Sequence, residues 1–471
     1  MNKLIKSIRE AIILSGLKDG MTVSFHHHLR NGDYVLNMVM DEIANLGIKD
    51  ITVNASSLFD VHKPLLTHIE SKVVTGVAAD YIAAGLGRAF SEGVLEEPVQ
   101  FRTHGGRPSD IALGITPIDV AFIAAPTSDP MGNCSGKYGK SACGSLGYAY
   151  ADAMYAKKVV VITDNLVSYP LQNWSISENY VDYVVSVDAI GDPKGIVSGT
   201  TQITRDPVGL VMASYAAKVI EASGLLTDGF SFQTGAGGAS LAAAKFLKNI
   251  MLEKGIKGSF GLGGITGYMV DMLNTGCFQS LMDVQCFDLT AVESIKSDPR
   301  HQEISAIQYA SPSSRSAVVD SLDVVILGAT EIDTDFNVNV HTDSNGYIMG
   351  GSGGHSDTAA GSKLSMIIAP MFRARLPIVT DRVTCISTPG KDIDVLVTQG
   401  GIAVNPKNTE LKERLVNARL PVIDINELKE KTERITGKPE KLPKGNRVVA
   451  EVIGRNGNIL DKIYNVPQNN Y

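Results

Sequence analysis

The chain repeats itself. IDVAFIAAPTSDPMGN runs from Ile118, and LDVVILGATEIDTDFN runs from Leu322. Asp119 and Asp323 lie 204 positions apart (323 − 119), and Asn133 and Asn337 share that offset. Asp152 and Asp357 differ by 205, as do Lys158 and Lys363. Each copy runs on into an apolar stretch, KKVVVITDN from Lys157 and SKLSMIIAP from Ser362. Further upstream the match is looser. GMTVSFHHHLRNGD starts at Gly20 and GFSFQTGAGGAS at Gly229. Both continue through a helical segment to a Gly-Ile-Lys, at Gly47 and Gly255, and then into KDITVNASS or KGSFGLGGIT. A unit of strand, Gly-rich loop, helix and strand that occurs twice at a near-constant offset constrains the chain to two like lobes.

Within each copy, continuous Val/Ile runs alternate with helical patterns. Such runs indicate parallel strands covered on both faces. The expected fold class is α/β, with two duplicated open lobes of mainly parallel sheet that face each other. The expected divisions are residues 1–222, 223–405 and 406–471, because EASGLLTD at 221–228 breaks the pattern. The last segment is more charged and ends in a strand pair turned at Asn456-Gly457. The first twenty residues read as a short amphipathic helix and not as a signal peptide, since charges interrupt the apolar residues. No apolar run is long enough to span a bilayer. A net charge of −7 argues against nucleic-acid or anionic-membrane binding. Five cysteines with no CxxC pair suit free thiols in a reducing cytoplasm.

In open α/β sheets, ligands sit beyond the carboxyl ends of the strands. Gly-rich loops recur there: TGAGGAS from Thr234, FGLGGITG from Phe260 and MGGSGGHSDTAAG from Met349. A lone Gly-Gly pair is usually a tight turn. Three in one lobe suggest backbone N–H groups gathered into nests for phosphate or an oxyanion. Gly235, Gly237 and Gly238 are the candidates for holding a cofactor-like arm. None of the loops is a P-loop, and none fits the dinucleotide fingerprint. The first lobe offers HHHLRNGD from His26 and THGGRPSD from Thr103. Consecutive strand residues point to opposite faces, so His26, His27 and His28 cannot all ligate one metal ion without a bend, and no metal site is expected. These histidines, with Arg30, Asn31, His104 and Arg107, are instead candidates for polar contact with an anionic substrate, arginine being the natural fork for carboxylate. The alternative is that one histidine is buried and hydrogen-bonded while the others face solvent.

The duplicated lobes and the loops GAGG, GLGGITG and GGSGGHSD resemble the CoA-transferase superfamily. VSFHHHLRNGD, FRTHGGRPSD, NCSGKYGKSACGSLGYA and LNTGCFQSLMDVQCFD make the chain similar, over almost its whole length, to the alpha subunits of bacterial citrate lyases. The resemblance implies citrate CoA-transferase activity: acetyl on the thioester arm of an acyl-carrier subunit is exchanged for citryl, and acetate is released. It implies beta (lyase) and gamma (acyl-carrier) partner subunits in a large assembly with homo-oligomeric contacts, and no permanently bound cofactor. Citramalate lyase is a near relative.

Relatives with the pattern Thr-Glu-Met use that glutamate as a covalent nucleophile. Here Thr266-Gly267-Tyr268-Met269 stands in its place, and no glutamate lies between Glu253 and Glu293. The implied route is direct attack by a citrate carboxylate, through a mixed anhydride. The expected oxyanion donors are Gly263, Gly264, Gly353 and Gly354, with Ser352 or His355 adding a side chain. Glu331, after DVVILGAT, reads as a loop carboxylate or as a residual nucleophile. The rival readings are a free-CoA carboxylate transferase with a glutamyl intermediate, and a non-catalytic acyl-CoA-binding or scaffold subunit.

Overall fold

The computed structural model describes residues 3–197, 203–235, 237–440 and 444–467. In each half, seven parallel strands occur in one spatial order. In the first half it is Tyr183–Ser186, Lys158–Thr163, Val120–Ala125, Thr22–Phe25, Ile51–Ala55, Val74–Ala79 and Val99–Phe101. In the second it is Val395–Thr398, Leu364–Ile368, Val324–Leu327, Phe232–Thr234, Gly258–Ile265, Phe278–Cys286 and His301–Glu303. Apolar side chains on both faces of a strand force helices onto both sides, which is why Val120–Ala125 and Leu364–Ile368 are buried throughout. The expected fold class holds.

The repeat extends to individual hydrogen bonds. Asp119 Oδ2 accepts the Thr22 N–H at 2.8 Å, and Asp323 Oδ2 accepts the Ser231 N–H at 2.8 Å. Lys157 and Lys363 pair with these carboxylates, each at 2.7 Å. The lysine equivalent to Lys363 is therefore Lys157; Lys158 reaches Asp182 instead. Asp129 and Asp333 each cap a loop, accepting the backbone N–H and the side-chain amide of Asn133 and Asn337 respectively.

The helix Pro207–Ala222 packs on Gly238–Lys254 and on the second-half strands Leu364–Ile368 and Val395–Thr398. Its packing thus groups it with the second half, ahead of the break expected at 222/223. The C-terminal residues straddle both halves. The helices Thr409–Asn417 and Ile425–Thr436 pack on the second-half strand Gly401–Val404. The hairpin Val448–Ile453 and Ile459–Tyr464 adds to the first sheet beside Val99–Phe101, and its turn has Gly457 at φ +80°. Among the described residues no helix is long and apolar enough to cross a membrane.

Candidate functional site

The stretch Gly350–Gly354 joins the two halves. The Ile82 N–H donates to Gly350 O at 3.1 Å, the Gly353 N–H to Asp80 O at 3.2 Å, and the His104 N–H to Gly353 O at 2.8 Å. A Cβ on Gly351 would lie 2.1 Å from Asp80 O. These glycines let two backbones touch. That corrects the oxyanion-nest expectation for Gly353, whose N–H already has an acceptor. Gly354 leads into the helix His355–Gly361, and a Cβ there would meet Tyr309 Oη at 2.5 Å. Ser352 Oγ bonds Ser356 Oγ at 2.7 Å. His355 bonds Thr388 Oγ1 at 2.8 Å and Gly328 O at 2.9 Å, and burial lowers its pKa to about 4. Both of its ring nitrogens are occupied within the second half, so the structure gives His355 no free donor. Asp357, from the same helix, accepts Thr103 Oγ1 and the Gly105 N–H across the junction, each at 2.9 Å.

The carboxyl ends of the strands meet beside this seam. His26, His27 and His28 follow Thr22–Phe25, Asp80 follows Val74–Ala79, and His104 follows Val99–Phe101. From the second half come Thr266, after Gly258–Ile265, and Phe287, after Phe278–Cys286. Gln285 Nε2 donates to His27 O at 2.9 Å across the interface. Arg30, held at φ +52°, lays its guanidinium 4.7 Å from the Phe287 ring centroid and 5.5 Å from that of Phe59. Burial lowers its pKa, and no hydrogen bond or ion pair engages its guanidinium among the described residues. Its N–H donors are thus unspent among the described residues, and a guanidinium in this state can take a carboxylate.

His104 stands behind this group. Its Nδ1 lies 2.9 Å from Asp80 Oδ2, and its ring packs on Tyr148 at 4.5 Å and on His27 at 5.6 Å. Burial raises the pKa of Asp80. His27 Nδ1 meets Ser56 Oγ at 2.5 Å. His26 and His28 are buried, and among the described residues neither ring has a hydrogen-bond partner, although His26 Nδ1 lies 3.9 Å from Asp152 Oδ2. Desolvation keeps both neutral, with His26 lowered to about 4. All three histidines are therefore buried, where the alternative reading had two of them facing solvent.

Two expected anchors are engaged elsewhere. Arg107 grips Asp152 bidentately, at 2.7 and 2.9 Å, and also donates to Asn54 Oδ1 at 2.7 Å. Asn31 is exposed, and its Oδ1 accepts the Val61 N–H at 3.0 Å. Gly263, at φ +103°, and Gly264 flank a bulge in the pairing with Phe278–Cys286. A Cβ on Gly264 would strike Phe287 at 2.2 Å, so this backbone borders the Arg30 site. The Gly267 N–H donates to Asp288 Oδ2 at 2.7 Å. Gly235, Gly237 and Gly238 lie at the start of Gly238–Lys254, and around Gly235 and Gly237 an added Cβ would meet nothing nearer than 3.6 Å. Glu331 is buried and accepts from Asn339 Nδ2 and the Thr384 N–H at 3.0 and 2.8 Å, which is a bracing role. All five cysteines are free and buried. Cys286 and His301 share Asp283 Oδ2 at 3.0 and 2.9 Å, the one group of potential metal ligands among the described residues.

Asp80, Phe59, Tyr148 and Phe287 escaped the motif reading. Asp80 carried a signal, an acid directly after the apolar run VVTGVAA, at a strand's carboxyl end.

The family model for "Citrate lyase, alpha subunit (CitF)" matches residues 1–466. The citrate lyase alpha chain of Haemophilus influenzae is 49% identical over 464 residues, covering 98% of this chain and 93% of the relative. That of Klebsiella pneumoniae is 48% identical over 464 residues, covering 98% and 91%. A crystal structure of the citrate lyase alpha subunit from Streptococcus mutans, in complex with citrate, superposes with a TM-score of 0.98 at 49% identity, covering 99% of this chain and 92% of that one. The malonate decarboxylase alpha subunit of Acinetobacter baumannii shares the fold, with a TM-score of 0.69 at 17% identity over 92% of this chain and 89% of its own.

Proposed function

The chain belongs to the family of citrate lyase alpha subunits, and from that membership we propose how it carries out its chemistry. It is a citrate CoA-transferase that acts on an acyl-carrier thioester within a multi-subunit citrate lyase. One observation carries the proposed geometry: the Arg30 guanidinium lies between Phe59 and Phe287, with no carboxylate of its own among the described residues. Citrate supplies that carboxylate. The citrate-bound Streptococcus mutans relative supports this choice of ligand. Thr266 Oγ1 and the ring nitrogens of His26 and His28, buried and without hydrogen-bond partners among the described residues, offer further contacts for a triply charged, hydroxylated substrate.

With citrate held there, one of its carboxylate oxygens attacks the acetyl carbon of the carrier thioester. The C–S bond breaks, and the arm leaves as a thiolate. The thiolate then attacks the citryl carbonyl of the mixed anhydride, the C–O bond breaks, and acetate departs. Gly267 provides no carboxylate to intervene, and the buried Glu331 is occupied by Asn339 and Thr384. Holding both reactants together supplies much of the acceleration. The bulged backbone at Gly263 and Gly264 lies beside Phe287, where each oxyanion donor would contribute about 3 kcal/mol. The open start of Gly238–Lys254 beside Gly237 suits a phosphate of the carrier arm, while the Gly235 N–H is already given to Ile326 O at 3.0 Å. Beta and gamma subunits and further copies of this chain complete the assembly in the cytoplasm, where its five free thiols stay reduced.

The test is to incubate the purified chain with citrate and acetyl-CoA, or with the acetylated carrier, and follow products by mass spectrometry. Citryl thioester with matched acetate, formed only when citrate is present, is the expected result. Exchange with neither donor would move the chain to a non-catalytic scaffold role.

A further inference from the structure

We propose that His104, oriented by Asp80, is the acid–base catalyst that holds the proton of the carrier thiol while the arm is free; this rests on the anhydride route above. Asp80 Oδ2 takes the Nδ1–H of His104 at 2.9 Å, which fixes the tautomer and leaves Nε2 as the reactive nitrogen. Nε2 has no hydrogen-bond partner among the described residues and is not among the sealed, unpartnered polar atoms of the interior. The imidazole is 13% exposed while Asp80 is buried, so only the ring reaches toward substrate. Tyr148 and His27, themselves in contact at 4.6 Å, pack against one side of the ring. Its backbone is pinned to Gly353 across the seam, so the ring is placed only when the halves are joined. The base, its orienting carboxylate and an open ring nitrogen form the arrangement that proton transfer at a nucleophile requires.

The step balances. As the citrate oxygen bonds to the acetyl carbon, sulfur leaves with the C–S electron pair. Imidazolium His104 gives its Nε2 proton to that sulfur, and the arm waits as a thiol. His104 then takes the proton back. The regenerated thiolate attacks the citryl carbonyl, and acetate leaves with the C–O electron pair. No proton is gained or lost over the cycle.

The experiment uses the assembled complex carrying His104→Gln, with His104→Ala as a second variant. With the acetylated carrier, His104→Gln is expected to lose about 100- to 1000-fold in kcat with citrate KM within threefold. An acetyl aryl thioester, whose leaving thiolate needs no proton, is expected to transfer its acetyl group with less than tenfold loss. Added imidazole restores part of the His104→Ala rate. A loss below threefold with the acetylated carrier, or equal losses with both thioesters, overturns the assignment to His104 and leaves the transferase reading standing. Absence of citryl thioester with the unaltered complex overturns both.

Discussion

Arg107 Nη2 and Asp152 Oδ1 meet at 2.7 Å in the interior of the first half, and both side chains are nearly inaccessible. Burial opposes either charge alone, but the pair holds Asp152 below the ordinary carboxylate range. Arg107→Ala strands a buried carboxylate, and should cost about 3–5 kcal/mol in urea unfolding. Adding Asp152→Asn should return much of that loss. Citrate affinity of the folded single variant should change less than threefold, because the donors of this arginine are spent on Asp152 and Asn54.

Arg30 behaves in the opposite way. Arg30→Gln removes a cation that touches two rings but has no hydrogen-bond or ion-pair partner among the described residues, so unfolding changes by about 1 kcal/mol while citrate Kd rises by about 10- to 100-fold. Arg30→Lys keeps the charge and loses the planar fork, so calorimetric titration should place it between the two.

Gly351→Ala pushes a methyl to 2.1 Å from Asp80 O and 2.6 Å from Tyr81 Cα. Both neighbours are backbone and cannot rotate away. A loss of about 1–3 kcal/mol is expected, with transferase activity falling alongside as the seam opens. Gly328→Ala is the control, since nothing lies within 4 Å of its added Cβ. It should cost under about 0.5 kcal/mol.

Acid should destabilise the protein well before ordinary carboxylates titrate. Burial lowers His26, His341 and His355 from 6.5 to about 4, about 3 and about 4. Depressed histidines contribute stability that is present above pH 6.5 and is lost as pH falls toward those values. Asp357 runs the other way. Burial raises it from 3.8 to about 6, so its contribution is full below pH 3.8 and is lost as pH rises through 6. Three groups outweigh one, and urea stability near pH 5 should fall by about 2 kcal/mol per pH unit on acidification. His355→Gln should flatten that slope by about half.

Borohydride reduction after exposure to acetyl thioester, followed by peptide mapping, should find no modified Glu331. Its carboxylate is braced by Asn339 and Thr384 and is buried. A hydroxyl-reduced residue at Glu331 would replace the anhydride route with a covalent one.

The repeat was legible because local patterns carry it. Val/Ile runs, Gly-Ile-Lys corners and the Asp119/Asp323 pair lie on contiguous stretches, and each dictates its own element before any distant contact forms. Duplication implied two like lobes, but the strand order within them came only with the fold. The register slip between Lys157 and Lys158 was not legible, because adjacent lysines look alike until one meets an aspartate. The hairpin at Asn456-Gly457 was readable as a turn, yet nothing local says that it extends the first sheet while the helices before it lie on the second half.

The site divides along the same line. The sequence by itself determined that glycines, histidines and arginines collect where strands end, and that no glutamate stands at Gly267. Tertiary structure alone decided what each one does. A glycine serves equally for an N–H nest or for close approach, and the backbone of Asp80 and Tyr81 opposite Gly351 made it a seam. An arginine serves equally as a buried brace or a ligand anchor. Asp152, 45 residues along the chain, claimed Arg107, while Phe287 of the other half sheltered Arg30 and left its charge unpaired. The free energy of a buried charge is set by what lies within a few ångströms of it, and those neighbours are brought there only by the fold.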